Sequence, residues 1–443
     1  MSAVGFLNER TRSARAARAV LRYVFPEHWS FMLGEIALYS FVVLVATGVY
    51  LTLFFEPSTS PTVYRGPYAP LHGLQMTRAY ASTVHLSLDV EGGLLVRQVH
   101  HWAALLFIAA IVLHLLRVFF TGAFRRPREL TWCVGVTLLA LALLEGFAGY
   151  SLPDDLLSGM GLAIAYSVAM SVPIIGGWLA LLVWGGEFPG AAAFEGRLFI
   201  VHVLLLPVAI ATLIAVHLLL VMLLHHTQFR GPGRTERNVV GAALWPAYAL
   251  RSLSLFFAVV AVLVLLGGLV QINPVWLWGP YHPYAATNGA QPDWFLGWLI
   301  GALRMTPPVE LHVAGWTLLP NPVFGGVLYP GVIFGLLFAW PWLERWASGD
   351  DAPHHLLDRP RDRATRTAFG AAVLTSVGVS LVAGAADRIA FSADVAYADL
   401  LWVMRVLFLV APIVVFALVR KLCLDLAASE RSEHPRTVRA ERV

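Results

Sequence analysis

The sequence predicts an all-α membrane protein with eight transmembrane helices. Of its 443 residues, 58% are hydrophobic and only 13% are charged, whereas a soluble domain carries about 25% charged residues. The mean hydropathy of +0.70 would leave a water-soluble fold with apolar surface that no core can bury. Eight mostly apolar stretches are each long enough, at about 20 residues, to cross a bilayer.

The predicted spans and the arginines between them set the topology. The spans cover about 33–54, 98–120, 132–151, 198–224, 253–271, 325–343, 368–385 and 400–420. Arginines cluster before the first span and after the second, fourth and sixth, and the positive-inside bias places those segments in the cytoplasm. Because the number of spans is even, we expect both termini there, in a multi-pass protein of the cell membrane.

This topology suggests four parts: a cytoplasmic N-terminal segment over 1–32, a four-helix bundle over 33–250, a C-terminal four-helix region over 251–426 and a cytoplasmic tail over 427–443. Three connections, about 55–97, 152–197 and 272–324, are too long to be turns and lie on the outer side. They are either ordered loops or the rim of a site.

Four histidines lie at two depths on two of the spans. His100 and His114 are 14 residues apart, and His202 and His217 are 15 apart, which corresponds to about 21 and 22 Å along a helix. Each pair shares one helical face, with offsets of about 40° and 60°. Histidines that only bridge helices by hydrogen bonds are the alternative.

Two facing imidazoles at each of two levels are what two bis-histidine haems require. Zinc is disfavoured, because each level offers only two nitrogen ligands. His101 lies about 140° from His114 around the helix, so we interpret it as a packing or loop-facing residue. Cys133 and Cys423 form no haem-attachment or cluster motif, so the haems would be noncovalent and any iron–sulfur cluster would belong to another subunit.

Glycines and arginines repeat beside these histidines. Gly34 and Gly48 on the first span, and Gly135 and Gly149 on the third, are again 14 residues apart; a missing side chain lets a flat macrocycle approach the backbone, although small residues also serve helix packing. Arginines near the ligands are candidates for binding haem propionates, although charged span ends also anchor helices. They are Arg97, Arg117 and Arg197.

At these residues the chain resembles cytochrome b of the quinol:cytochrome c oxidoreductases, the bc complexes. The resemblance runs from about Phe25 to about Leu424 and includes Gly149-Tyr-Ser-Leu-Pro153, Ser171-Val-Pro-Ile-Ile-Gly176 and Pro292-Asp-Trp-Phe295. The stretches Glu145–Asp155, His226–Glu236 and His354–Pro360 are similar to the actinobacterial branch.

The resemblance implies a respiratory enzyme of the bacterial cell membrane. It implies menaquinol as substrate, a Rieske-type iron–sulfur subunit, a cytochrome c subunit, a homodimeric complex and a supercomplex with a haem-copper oxidase. It also implies that His100 and His202 hold a low-potential haem near the outer face, and that His114 and His217 hold a high-potential haem near the cytoplasm. The small net charge of +4 makes nucleic acid an unexpected partner.

The resemblance places an outer quinol site at the segment that usually reads Pro-Glu-Trp-Tyr in the family. Here Asp293 provides the carboxylate that accepts a proton, one methylene shorter, and Phe295 replaces the tyrosine. A solvated loop acid is the alternative. Asp154 and Asp155 are either an outward proton relay or a solvated loop. The apolar wall would come from Tyr150, Pro153, Pro292, Trp294, Phe295 and Met305.

The inner quinone site is less closely matched. The family often uses a histidine after the last haem ligand and a Lys-Asp pair before the fifth span. The candidates here are His225 or His226, and Arg251 followed by Ser252, with the aspartate absent. Glu35 is a possible substitute as proton donor, or an interfacial acid.

The chain is therefore expected to oxidise quinol outside, to pass electrons through two haems to quinone inside, and to contribute to proton translocation. One alternative is a membrane cytochrome b that anchors a dehydrogenase. Another is a proton-coupled secondary transporter, in which histidines relay protons.

Overall fold

The fold was analysed in a computed structural model that describes residues 14, 18, 20–285 and 291–440. Within these residues, eight helices are long and apolar enough to cross a membrane, which confirms the predicted number. We label them α1 to α8 in chain order: Trp29–Leu51, Gly93–Thr121, Glu129–Ser151, Phe194–Leu224, Leu244–Leu269, Phe324–Ser348, Pro360–Gly384 and Tyr397–Glu430.

Most of these helices extend beyond their apolar stretches. The best example is α2, which begins five residues before the predicted 98 because its ends are set by glycines rather than by hydropathy. Gly92 and Gly122 flank it with φ of 73° and 66°, a left-handed conformation that favours glycine over other residues. The final helix also continues past its span, over Tyr397–Ala440.

The first four helices pack in sequence: α1 against α2, α2 against α3, and α3 against α4. α5 packs on α2 and α1, whereas α7 packs on α8 and on a short helix, Trp294–Met305. Since α5 begins at Leu244, the predicted boundary at residue 250 falls inside this helix. The division of the chain into four parts stays a prediction.

One end of the helices, which we call the arginine-rich end, carries the 122–128, 225–243 and 349–359 connections. Arg128 donates to the carbonyls of His225 and His354, at 3.0 and 2.6 Å, and Arg366 is buried between Glu344 and Asp358. Strands β1 (Val24–Pro26) and β4 (Gly241–Ala243) pair antiparallel here. The predicted N-terminal arginines Arg10, Arg12 and Arg15 lie outside the described residues.

The opposite end, which we call the loop-rich end, carries the three long connections. Their described residues form the helices Arg78–Leu88, Leu156–Met170, Gly176–Trp184, Val275–Trp278 and Trp294–Met305, and the hairpins β2–β3 (Pro61–Val63, Gln75–Thr77) and β5–β6 (Leu311–Val313, Trp316–Leu319). The first and third connections are joined where the buried Tyr80 hydroxyl donates to the Val275 carbonyl at 3.1 Å. A further short helix, Ala386–Ala393, joins α7 to α8.

Candidate functional site

The four predicted histidines form two facing pairs between α2 and α4. The ring centroids of His100 and His202 are 6.3 Å apart, and those of His114 and His217 are 6.4 Å apart. Two metal–imidazole bonds of about 2 Å and two ring radii of about 1 Å span a similar distance, about 6 Å. Each pair is therefore spaced to hold one iron between two imidazoles.

The four predicted glycines each lie against one of these histidines. A β-carbon at Gly48 would be 3.3 Å from Cε1 of His100, and one at Gly149 would collide with Cε1 of His202. Gly34 and Gly135 lie in the same way against His114 and His217, at 3.3 and 3.7 Å. The glycines thus make room for the imidazoles; their contact with a macrocycle stays a prediction.

The second ring nitrogens of the two histidines nearer the loop-rich end have neighbours that differ in charge. Nδ1 of His100 lies 2.9 Å from the hydroxyl of Thr47. Nδ1 of His202 lies 3.0 Å from a carboxylate oxygen of Glu145, at ion-pair distance, although the two groups are not aligned closely enough for a hydrogen bond. Sequence reasoning made no prediction for Glu145 beyond its place in a motif, because helical spacing on α3 does not reveal which residue faces α4.

Two of the three predicted propionate partners carry buried nitrogens without a hydrogen-bond partner among the described residues. These are Nε of Arg97, and Nε and Nη2 of Arg117. Arg97 also donates to the carbonyl of Asn273 at 2.9 Å, and the guanidinium of Arg117 stacks 4.0 Å from the Phe31 ring centroid. Such nitrogens suit an anionic ligand. Arg197 is exposed, so its predicted role has no such support.

At the loop-rich end, Asp293 is held by His101. Nε2 of His101 lies 2.9 Å from both carboxylate oxygens, and both side chains are largely buried, with exposed fractions of 14% and 18%. This replaces the view of Asp293 as a solvated loop acid. It also refines the interpretation of His101, which faces the 272–324 connection and contacts Asp293 there. The helical angle that separated His101 from the other histidines directs it to this loop.

The predicted apolar wall is partly assembled around Phe295, which is 2% exposed. Phe295 and Tyr150 belong to one core cluster with Ile108, and the Tyr150 hydroxyl donates to the Leu157 carbonyl at 3.0 Å. Met305 is buried, Pro153 and Pro292 are half-buried, and Trp294 is 40% exposed. Trp294 therefore forms the outer edge of this group rather than its interior.

The two acidic residues after α3 are not a solvated loop. Asp155 is 1% exposed and one of its oxygens accepts from the Ser158 backbone N–H at 3.0 Å. Burial raises the pKa of Asp155 to about 6, against the opposing effects of the Ser158 hydrogen bonds and of Arg97. Burial likewise raises the pKa of Asp154 to about 6, opposed by a hydrogen bond from Thr77. Both groups can exchange protons near neutral pH, which keeps the relay interpretation open.

At the arginine-rich end, a cavity of about 450 Å³ opens beside His114 and His217. Its volume lies in the range of small-molecule sites, and its walls are mostly apolar. The polar residues around it include Glu35, Arg117, His225, His226, Tyr248 and Ser252. Three of the four predicted inner-site residues, Glu35, His225 and His226, line this cavity, and so do His114 and His217.

Glu35 is the centre of a hydroxyl cluster in this cavity. One of its carboxylate oxygens accepts from the Tyr248 hydroxyl, and the other accepts from Ser252 and, at 3.3 Å, from Tyr39. The acid is therefore part of a half-buried hydrogen-bond network rather than an interfacial anchor. Sequence reasoning missed Tyr248 and Tyr39; four-residue spacings, Tyr248 to Ser252 on α5 and Glu35 to Tyr39 on α1, are the signals that were available.

Of the two histidine candidates, His226 is the more buried. It lies 3.3 Å from the Tyr23 hydroxyl through Nδ1. Burial, with Arg117 and Arg128 nearby, lowers the pKa of His226 to about 4, so the ring is neutral at physiological pH. His225 is exposed but also lines the cavity.

Arg251 is not in the cavity, contrary to the prediction. Its guanidinium pairs with Glu27, and the two side chains are 62% and 51% exposed. The next residue, Ser252, faces Glu35 instead. Successive side chains on a helix point about 100° apart. For this reason Arg251, chosen by its position in the family's Lys-Asp motif, points away from the cavity while Ser252 points into it.

Comparison with known proteins finds relatives that are named cytochrome b subunits. A family profile described as cytochrome b (N-terminal)/b6/petB matches residues 105–280. The cytochrome bc1 complex cytochrome b subunits of Streptomyces coelicolor and Mycobacterium tuberculosis are 47% and 49% identical, over 94% and 96% of this chain and 76% and 77% of theirs. A solved chain titled hyperthermophilic respiratory Complex III shares the fold, with a TM-score of 0.69 at 20% identity, over 95% of this chain and 99% of that one.

Proposed function

This chain belongs to the family of cytochrome b subunits of cytochrome bc1 complexes, and we propose that it holds two noncovalent b-type haems through His100/His202 and His114/His217. As a member it is the core membrane subunit of a quinol:cytochrome c oxidoreductase. The single observation that carries the haem assignment is the pair of centroid distances, 6.3 and 6.4 Å.

The protein itself supplies position and charge. When bound, the two haems carry single electrons across the membrane between quinol and quinone. The four histidines hold the metals, Gly34, Gly48, Gly135 and Gly149 make room for the rings, and Arg97 and Arg117 offer unpaired nitrogens to propionates. Because Arg197 is exposed, its role as a third propionate partner rests on sequence position alone.

The outer quinol site lies at the loop-rich end, which faces the outside in this proposal. Asp293 accepts a proton from the quinol, and His101 holds the carboxylate in place through its 2.9 Å contacts. Tyr150, Pro153, Pro292, Trp294 and Phe295 provide apolar wall. Asp154 and Asp155, with pKa values raised to about 6, are suited to pass that proton outward.

The inner quinone site is the part of the cavity beside Glu35 and His226, next to the haem that His114 and His217 hold in the same cavity. This arginine-rich end faces the cytoplasm together with both termini. Glu35 donates a proton to the reduced quinone, and the hydroxyls of Tyr248 and Ser252 hold its carboxyl group. Neutral His226 is a hydrogen-bond partner for a quinone oxygen, and His225 is a second one. Arg251 has no part in this site.

The substrate and partners follow from the family. The chain works with other subunits of its complex, among them a Rieske-type iron–sulfur protein and a cytochrome c. The similarity to actinobacterial relatives supports menaquinol as the quinol, a homodimeric complex in the bacterial cell membrane and a supercomplex with a haem-copper oxidase. Purification in mild detergent, with subunit identification and quinol-driven reduction of cytochrome c, tests this; a preparation that lacks quinol oxidation would contradict it.

Two other functions are less well supported. A cytochrome b that only anchors a dehydrogenase does not need Asp293 held by His101 at a second site. A secondary transporter does not need imidazoles spaced for a metal. A difference spectrum with two b-type haems excludes the transporter, and reduction of cytochrome c excludes the simple anchor.

Replacing Glu35 with glutamine is expected to slow quinone reduction at the inner site by about 100-fold, because the protons of an amide are not acidic enough to be donated. The rate of haem b reoxidation by added menaquinone, with the outer site blocked, measures this step. The matched control is Glu27→Gln, an exposed acid at the same end that pairs with Arg251. Equal rates in both variants and the wild type would remove Glu35 from the site.

A further inference from the structure

We propose that Glu145 is a positioning residue that lowers the reduction potential of the haem held by His100 and His202. The inference rests on the proposed haem ligands but goes beyond them. Glu145 lies on α3, four residues before Gly149, and one of its carboxylate oxygens is 3.0 Å from Nδ1 of His202. The exposed fractions of the two side chains are 18% and 16%.

The contact engages the ring nitrogen that the metal does not use. With Nδ1 turned to the carboxylate, Nε2 of His202 is left for the iron. A carboxylate beside the second nitrogen of a ligating histidine makes the imidazole more basic. A negative charge this close to the ligand also favours the iron state with the greater positive charge, which is the oxidised state.

Solvent screens this charge weakly. The other carboxylate oxygen of Glu145 is buried and has no hydrogen-bond partner among the described residues. The carboxylate is therefore not neutralised by a second ion pair within the described part of the chain. Charges in such an environment interact more strongly than they do at a surface.

The remaining three ligands lack a comparable partner. Nδ1 of His100 faces the Thr47 hydroxyl, which donates its own proton to the Val43 carbonyl at 2.7 Å and so offers the ring a neutral acceptor. Nδ1 of His114 and Nδ1 of His217 are buried and have no hydrogen-bond partner among the described residues. In the described structure, no carboxylate lies at ion-pair distance from His114 or His217.

The charged groups near His114 and His217 differ from those near His100 and His202. Arg117 lies three residues after His114 and keeps two unpartnered buried nitrogens. Glu35 is adjacent to Gly34, which contacts His114, but its carboxylate is held by Tyr248 and Ser252. Each level thus has an arginine three residues from a ligand, Arg97 at the first and Arg117 at the second, but within the described chain only the first level also has a carboxylate at ion-pair distance from a ligand. This asymmetry favours electron transfer from the loop-rich end to the arginine-rich end.

The test is a redox titration of both haems in the purified complex, comparing wild type with Glu145→Gln. The glutamine keeps the size of the side chain and removes its charge. We expect the equilibrium constant for reduction of the haem at His100/His202 to rise about tenfold, which is about 59 mV for a one-electron couple. The potential of the haem at His114/His217 should stay unchanged. The matched control is Glu187→Gln, which removes an exposed acid from the same end.

The outcomes separate this inference from the haem assignment. Glu145 does not lower the potential if both haems are present in Glu145→Gln and the reduction potential of the haem at His100/His202 is unchanged. The same holds if the reduction potentials of the two haems shift equally. If Glu145→Gln fails to assemble, Glu145→Asp keeps the charge at a greater distance, and a smaller rise of the same potential is expected; an unchanged value would overturn the proposal. A wild-type protein without haem would instead refute the ligand assignment.

Discussion

Replacing His202 with leucine removes the haem at the His100/His202 level and leaves the other at least partly assembled. A leucine side chain offers no nitrogen to the metal, and the 6.3 Å spacing to His100 leaves no other described imidazole in its place. The two levels have separate ligands, so loss of one pair need not disturb the other. The reduced-minus-oxidised spectrum of the purified complex should show haem b content reduced to about half.

The control for this change is His72→Leu, which alters an exposed histidine at the loop-rich end. It should leave the spectrum unchanged. If His202→Leu retained both haems, the pairing of His100 with His202 would be wrong. If His202→Leu lost both haems together with the complex, His100→Leu would be measured next. It must behave in the same way as His202→Leu if the two residues hold one metal.

Replacing Asp293 with asparagine is expected to slow quinol oxidation by about 100-fold or more while haem content stays intact. The amide cannot accept a proton, and a positioned general base contributes about 10² to 10⁴ in rate. A loss of 100-fold corresponds to about 2.7 kcal/mol of transition-state stabilisation. Reduction of haem b and cytochrome c by a menaquinol analogue in stopped flow measures this rate.

Two variants bracket this result. Asp89→Asn changes an exposed acid of the same end and should leave the rate unchanged. Asp293→Glu restores the length common in the family and should keep most of the activity, because the carboxylate remains. A wild-type rate for Asp293→Asn in a fully assembled complex would remove this residue from the chemistry.

The parts of the fold that depend on one helix at a time were predictable from the sequence. Hydropathy is a local property, so all eight spans were found, with ends that differ where glycines such as Gly92 and Gly122 set the boundary. The spacing of His100 and His114 also lies within one helix. Its match to the spacing on α4 made the two facing pairs predictable, and the structure brings their rings to 6.3 and 6.4 Å.

The contacts that depend on how two helices are rotated against each other were not predictable. Glu145 meets His202 across α3 and α4, and Ser252 rather than Arg251 meets Glu35 across α5 and α1. His101 reaches Asp293, which is 192 positions further along the chain. Periodicity gives the face of one helix but not its partner, so these pairs appear only when the helices are packed.

The central claim is that the chain presents imidazole pairs to metal at two levels, and the most direct measurement is haem stoichiometry. Protohaem extracted from the purified complex with acidified solvent, and quantified against this chain, should give two molecules per chain. Complete extraction is itself expected, because no cysteine is placed for covalent attachment. A ratio of zero or one per chain, in a preparation that oxidises quinol, would contradict the account.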